Sequence, residues 1–212
     1  MYVPAHFALN QDQLTRVLAK APAGDLVTLG ADGLDATYLP MLYDPASGSL
    51  IGHLARVNRQ SRDNGPALFI VHGPDDFIEA DWLRTPAADS VPTWNYVTVH
   101  ARGDLVAHDD PEWTLDVVRR LSAAHGDASV DAMPADGVEK LLRAIVGVEL
   151  RNLRLEGKAK MSQNKSPQVV GQVIDGLRAS GRAETAAWMT EYSLPRALAK
   201  AELLDGIRER HS

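Results

Sequence analysis

"DLVTLGADGLDATYLPMLYDPASGSLIGHLA", residues 25–55, decides the fold class. Short runs rich in Leu, Val, Thr and Tyr alternate with tight polar breaks. "ADG" at 31–33 and "DPASGS" at 44–49 are turn sequences of the kind that connect antiparallel strands. The same texture continues in "ALFIVHG" (67–73) and "WNYVTVHARGDLVAHD" (94–109). Successive short strands with tight connections predict an antiparallel meander that closes into a small barrel.

Helices flank this core. "QDQLTRVLAK" (11–20) places Leu14, Val17 and Leu18 at helical spacing and stops before Pro22 and Gly24. Asp110 and Pro111 open a second helix, with Leu115, Val118 and Leu121 in one stripe and Gly126 after it. "AIVGVEL" (144–150) starts an apolar strand spanning 145–155. "KAKMSQNKSP" (158–167) then reads as a connector into a helix begun by Ser166 and Pro167. Val169, Val170, Val173, Ile174 and Leu177 face inward there, and Gly181 lies past the end. Residues 183–192 and 195–210 read as helices split by Pro195. The class is α+β, one barrel-like domain with peripheral helices and a helical C-terminal extension.

Composition narrows the chemistry. The 212 residues are 45% hydrophobic and 24% charged, as in an ordinary globular chain. There is no cysteine, which removes disulfides, thiolate metal sites and cysteine nucleophiles. No apolar run reaches the ~20 residues of a membrane helix, and "MYVPAHFALNQDQL" lacks the basic start of a signal peptide. A cytoplasmic, soluble protein is expected. A net charge of −6 disfavours general nucleic-acid affinity. Two basic clusters stand against that balance: Arg56, Arg59 and Arg62, and then Arg151, Arg154, Lys158, Lys160 and Lys165. His72, His100 and His108 lack the close spacing of metal ligands, and neither GxGxxG, a P-loop nor GxSxG occurs.

Three segments concentrate polar function. In "GHLARVNRQ" (52–60), His53, Arg56 and Asn58 present donors suited to phosphate, or form an ordinary charged loop at a strand end. In "VPTWNYVTVH" (91–100), Trp94 and Asn95 can stack on a planar ring and bond its edge; equally, Trp94 can plug the barrel while Asn95 caps a turn. In the 158–167 stretch, Lys160, Ser162, Gln163 and Lys165 can grip an anion beside the next helix N-terminus, or serve as a solvated connector.

"MYVPAHF" at the start, "GHLARVN" (52–58), "VHGPDDFIEADW" (71–82), "VPTWNYVTVH", "IVGVEL" (145–150) and "KMSQNK" (160–165) occur in one order. Together they resemble the PaiB-type family of negative transcriptional regulators, also described as FMN-binding proteins, from Met1 to about Gly181. The resemblance implies a split β-barrel related to pyridoxamine phosphate oxidases over 1–165, a helical extension over 166–212, a homodimer, and FMN between subunits. Carried onto this sequence, it implies cofactor contacts from His53, Arg56, Asn58, Trp94, Asn95, Lys160, Ser162, Gln163 and Lys165. The chain departs at Tyr38, where the family often has histidine, and at "EADWLRT" (79–85) in place of a "SPSWY" run. The tail "RALAKAELLDGIRERHS" (196–212) extends beyond the matched motifs.

The expected function is an FMN-binding negative transcriptional regulator that acts on promoter DNA directly or through a partner. The alternative is an FMN-dependent oxidoreductase using a nicotinamide or small-molecule reductant. A barrel that has kept the fold and lost the cofactor is a third reading.

Overall fold

The structure, a computed structural model, describes residues 1–20, 22–85 and 90–210, so the last two residues of the 196–212 tail lie outside it. In chain order the elements are α1 (Gln11–Leu18), β1 (Ala23–Gly30), β2 (Gly33–Pro40), β3 (Leu42–Asp44), β4 (Ser49–Ala55), β5 (Gly65–Ile78), α2 (Ala80–Leu83), β6 (Thr93–His108), α3 (Pro111–Ala124), α4 (Ala135–Ala144), β7 (Ile145–Lys160), α5 (Pro167–Ala179), α6 (Ala183–Trp188) and α7 (Leu194–Glu209). The strands form one antiparallel sheet in the order β2-β1-β5-β6-β7-β4-β3. The chain packs into two compact units. One comprises Met1, Asn10–His72 and Val99–Glu156; the other comprises Tyr2–Leu9, Gly73–Thr98 and Gly157–Ser212.

In the first unit a two-residue turn joins β1 to β2, pairing Gly30 with Gly33 through to Ala23 with Pro40. β2 and β3 stand at opposite ends of the sheet order, yet Met41 alone connects them. Two residue steps span about 7 Å at most, so the two ends of the sheet must meet. Met41 is fully buried where they do. Gly52 of β4 faces this seam: a Cβ there would lie 3.1 Å from the Pro40 carbonyl oxygen and 3.3 Å from Met41 Cγ. Removing the side chain lets the backbones approach. β4 then pairs with β7, Leu50 opposite Leu150 and Ala55 opposite Ile145.

Helix α3 covers this part of the sheet. Its N-cap forms as the sequence predicts, with Asp110 Oδ1 accepting from the Glu112 and Trp113 amides at 2.9 and 3.3 Å. Val117 and Leu121 pack on Ile51 and Leu42, while Val118 packs on Val130 and Ile145. Trp113 lies against Gly147, where a Cβ would come within 2.4 Å of its ring. The same indole stacks on His108, with centroids 3.9 Å apart and planes 15° from parallel.

His108 leads to a buried carboxylate. Glu149, 7% exposed, receives Arg151 Nε at 2.8 Å and stands 2.8 Å from His108 Nε2. Burial pushes its carboxyl pKa up, but hydrogen bonds from Arg151, Ser49 and His108 outweigh that effect and hold it below the usual range.

In the second unit α5 is capped by Ser166 and opens on Pro167, as expected, and buries Val169, Val170, Val173, Ile174 and Leu177. Two sequence expectations change here. β7 does not stop at 155 but runs to Lys160, because Gly157 and Ala159 point inward and Lys158 and Lys160 alternate outward. The connector is therefore only 161–165. The helices α6 and α7 are not simply split at Pro195: a π-helical stretch, Met189–Ser193, joins them. Proline lacks the N–H for a bond four residues back and its ring clashes there, so the preceding turn widens.

Folding lowers the Glu149 pKa, so its contribution to stability is present above the ordinary carboxylate range and is lost as pH falls through the depressed value. Glu149→Gln is expected to cost about 1–3 kcal/mol at neutral pH. In thermal melts its deficit relative to wild type should shrink on acidification; a deficit independent of pH would contradict this network.

Candidate functional site

Trp94, Asn95 and the 160–165 segment come together in the second unit. Lys160 ends β7 and donates from Nζ to Thr93 Oγ1 at 2.5 Å and to the Trp94 carbonyl at 2.8 Å. Burial holds its pKa below the usual lysine range; Lys158 adds to this and Tyr96 opposes it. Lys158 itself lies over the Tyr96 ring, 5.3 Å from its centroid. An ammonium carries three donors, and these two bonds leave one for a further acceptor.

The next residues turn inward. Ser162 adopts a left-handed conformation (φ 58°) and donates from Oγ to Asn95 Oδ1 at 3.1 Å. Gln163 Oε1 accepts from the Met161 amide at 2.7 Å, and its Nε2 donates to the Ala159 carbonyl at 2.6 Å. Asn95, completely buried, donates from Nδ2 to Met189 Sδ at 3.4 Å. The polar groups of Asn95, Ser162 and Gln163 thus latch the turn to β6 and to the π-helical stretch. The exposed members are Lys165, whose amide donates to the Ser162 carbonyl at 3.0 Å, and Trp94.

Trp94 is not a plug. Its side chain is 49% exposed, its Nε1 donates to Asp75 Oδ1 at 3.0 Å, and its ring lies 6.1 Å from that of Phe77. Fixing the indole by its N–H leaves its face available for stacking on a planar group. Asp75, Thr93 and Met189 were not singled out by sequence reasoning. Asp75 and Thr93 lie inside motifs already quoted, whereas nothing in the local sequence marks Met189.

His53, Arg56 and Asn58 lie in the first unit. His53 sits on β4 with Nδ1 buried and without a hydrogen-bond partner among the described residues, and burial holds its pKa below the ordinary value. Arg56 is engaged along its whole guanidinium. Nε donates to the Arg143 carbonyl at 3.2 Å, one terminal nitrogen to Asp109 Oδ1 at 2.7 Å, and the other to the Ile145 carbonyl at 2.8 Å. Asn58 Oδ1 caps a short 3-10 turn through the Gln60 amide at 2.9 Å, and its Nδ2 donates to Thr37 Oγ1 at 2.8 Å. Gln60, absent from the expected set, is fully buried and donates to the Leu26 carbonyl and Thr28 Oγ1 at 2.9 and 3.0 Å.

The architecture has solved counterparts. The FAD- and haem-binding protein of Mycobacterium smegmatis superposes with a TM-score of 0.55 at 15% identity, covering 71% of each chain. The flavocytochrome Anf3 of Azotobacter vinelandii gives 0.55 at 12% identity, covering 75% of this chain and 72% of its own. These likenesses define the class: an α+β split β-barrel fold. Within that class, the family model described as "Putative FMN-binding domain" matches residues 1–152, and the chain belongs to that family. Protease synthase and sporulation protein PAI 2 of Bacillus subtilis (strain 168) is 27% identical over 188 residues, 84% of this chain and 89% of the relative.

Asn95→Ala would leave the Ser162 hydroxyl without its acceptor and open a small void. It is expected to cost about 1–3 kcal/mol and to speed amide exchange at 161–165. Unchanged exchange across that turn would mean that Asn95 does not hold it.

Proposed function

We propose that this chain is an FMN-binding negative transcriptional regulator, acting as a cytoplasmic homodimer on promoter DNA directly or through a partner. The observation that carries the flavin half is membership of the FMN-binding domain family over residues 1–152. The second unit fits the group chemically, since it offers an exposed indole face, a half-buried ammonium with a donor to spare and an exposed lysine. Trp94 is proposed to stack on the ring system. Lys160 and Lys165 are proposed to meet its electronegative oxygens, and Asn95, Ser162 and Gln163 to hold those groups in place. His53, Arg56 and Asn58 stay in the proposal on the family resemblance. The regulatory half rests on that resemblance and on the Bacillus relative, named for protease synthesis and sporulation.

The second reading is an FMN-dependent oxidoreductase using a nicotinamide or small-molecule reductant. A bound flavin would itself supply hydride and electron transfer, so the protein need only bind and orient it.

Titrating the purified protein with FMN and following flavin fluorescence tests the shared premise. Wild type is expected to bind stoichiometrically, with Lys160→Ala and Lys165→Ala each weakening affinity about 10-fold through loss of a charged hydrogen bond. Affinities unmoved in both variants would put the flavin elsewhere. With FMN bound, salt-dependent retardation of the DNA upstream of its own gene, beyond that of random DNA, supports the regulator. Rapid anaerobic bleaching by NADPH with turnover on an acceptor supports the oxidoreductase instead.

A further inference from the structure

Burial alternates along β1. Gly24, Leu26 and Thr28 point inward, and Asp25, Val27 and Leu29 point outward. Directly opposed residues of an antiparallel pair share a face. The register therefore extends the outward layer to Tyr38, Ala36 and Leu34 on β2, and to Ile70 and Leu68 on β5. A sheet face left to solvent normally carries polar side chains; this one is apolar over three strands. Leu29, Leu34 and Tyr38 are 71%, 78% and 67% exposed, and Leu29 and Leu34 are direct cross-strand partners.

The layer's charge points to its occupant. Its ionisable pair is Asp25 and His72, bound to each other at 2.9 Å at one end. A nucleic acid or an anionic membrane would require cations that this layer does not have. A second copy of the chain would meet no acidic or basic side chain here beyond the hydrogen-bonded Asp25–His72 pair, whereas the net charge of −6 opposes self-association elsewhere. Area supports the same partner. At roughly 200 Å² for a large side chain, the three barest residues alone expose about 400 Å². That is half of the ~800 Å² each partner of a stable complex buries, before Val27, Leu68 and Ile70 are added.

We infer that the outward β1–β2–β5 layer of the first unit is where a second copy docks, face to face across a two-fold axis, with Leu29 and Leu34 central. A two-fold contact uses the same patch on both copies, which an apolar layer without cations or anions outside one hydrogen-bonded pair satisfies. The inference rests on the homodimer reading and assigns its surface.

Light scattering and sedimentation of the full chain at micromolar concentration are the test, on wild type, Leu34→Lys, Leu29→Lys and the control Leu203→Lys. Leu203 is also exposed but lies on α7. Wild type and the control are expected to be dimers, and each layer variant to weaken dimerisation about 100-fold with an unchanged circular dichroism spectrum. Because the chain has no cysteine, Tyr38→Cys supplies a single thiol should the lysine variants misfold. A short bismaleimide should join two such copies, and should not join copies of Leu203→Cys. A dimeric wild type with folded, fully dimeric layer variants, or cross-linking only through residue 203, would overturn the assigned face and leave the homodimer standing. A monomeric wild type would remove both.

Discussion

One connection governs the barrel: β2 and β3 occupy the two ends of the strand order, and Met41 is all that separates them. A sheet whose ends are tied that closely cannot lie open. Several local features follow from that constraint. Met41 is buried because the seam closes around it, and position 52 carries no side chain because the β2–β3 backbone passes directly over it. Once closed, the sheet has an inside and an outside, and alternation along β1 sorts Leu26 and Thr28 from Val27 and Leu29.

The polar interior shows how buried charge and buried amides are made tolerable. Glu149 is held by Arg151, Ser49 and His108, and His108 is in turn stacked on Trp113. Asn95 and the amide nitrogen of Gln60 are completely buried and have backbone, hydroxyl or sulfur partners. These groups specify geometry, since a buried donor without a partner is expensive. The same logic separates the residues of the KMSQNK turn: Ser162 and Gln163 are committed to internal bonds, and Lys160 and Lys165 keep capacity for something outside.

Much of this was legible in the sequence for reasons that are local. The "ADG" and "DPASGS" turns and the Asp110–Pro111 and Ser166–Pro167 helix starts act within a few residues, and each appears where expected. The motif resemblance likewise anticipated the family and the split-barrel class. Less legible was anything decided by distant partners. Lys158 and Lys160 look like loop residues until Gly157 and Ala159 are seen to fill inward positions. Arg56 reads as a phosphate fork, and only the fold shows the carbonyls of Arg143 and Ile145 beside it. Asn95 meets Met189 across 94 residues, a separation at which no sequence pattern speaks.

The interleaving of the two units has a consequence for biosynthesis. Neither is a continuous piece of polypeptide; the second combines Tyr2–Leu9 with Gly73–Thr98 and everything from Gly157 onward. On a translating ribosome its earliest segment must wait, unmatched, until the last has emerged. Such long-range closure slows folding and prolongs exposure of apolar surface. The apolar surface of that unit therefore stays exposed on the nascent chain until the segment from Gly157 onward has been made.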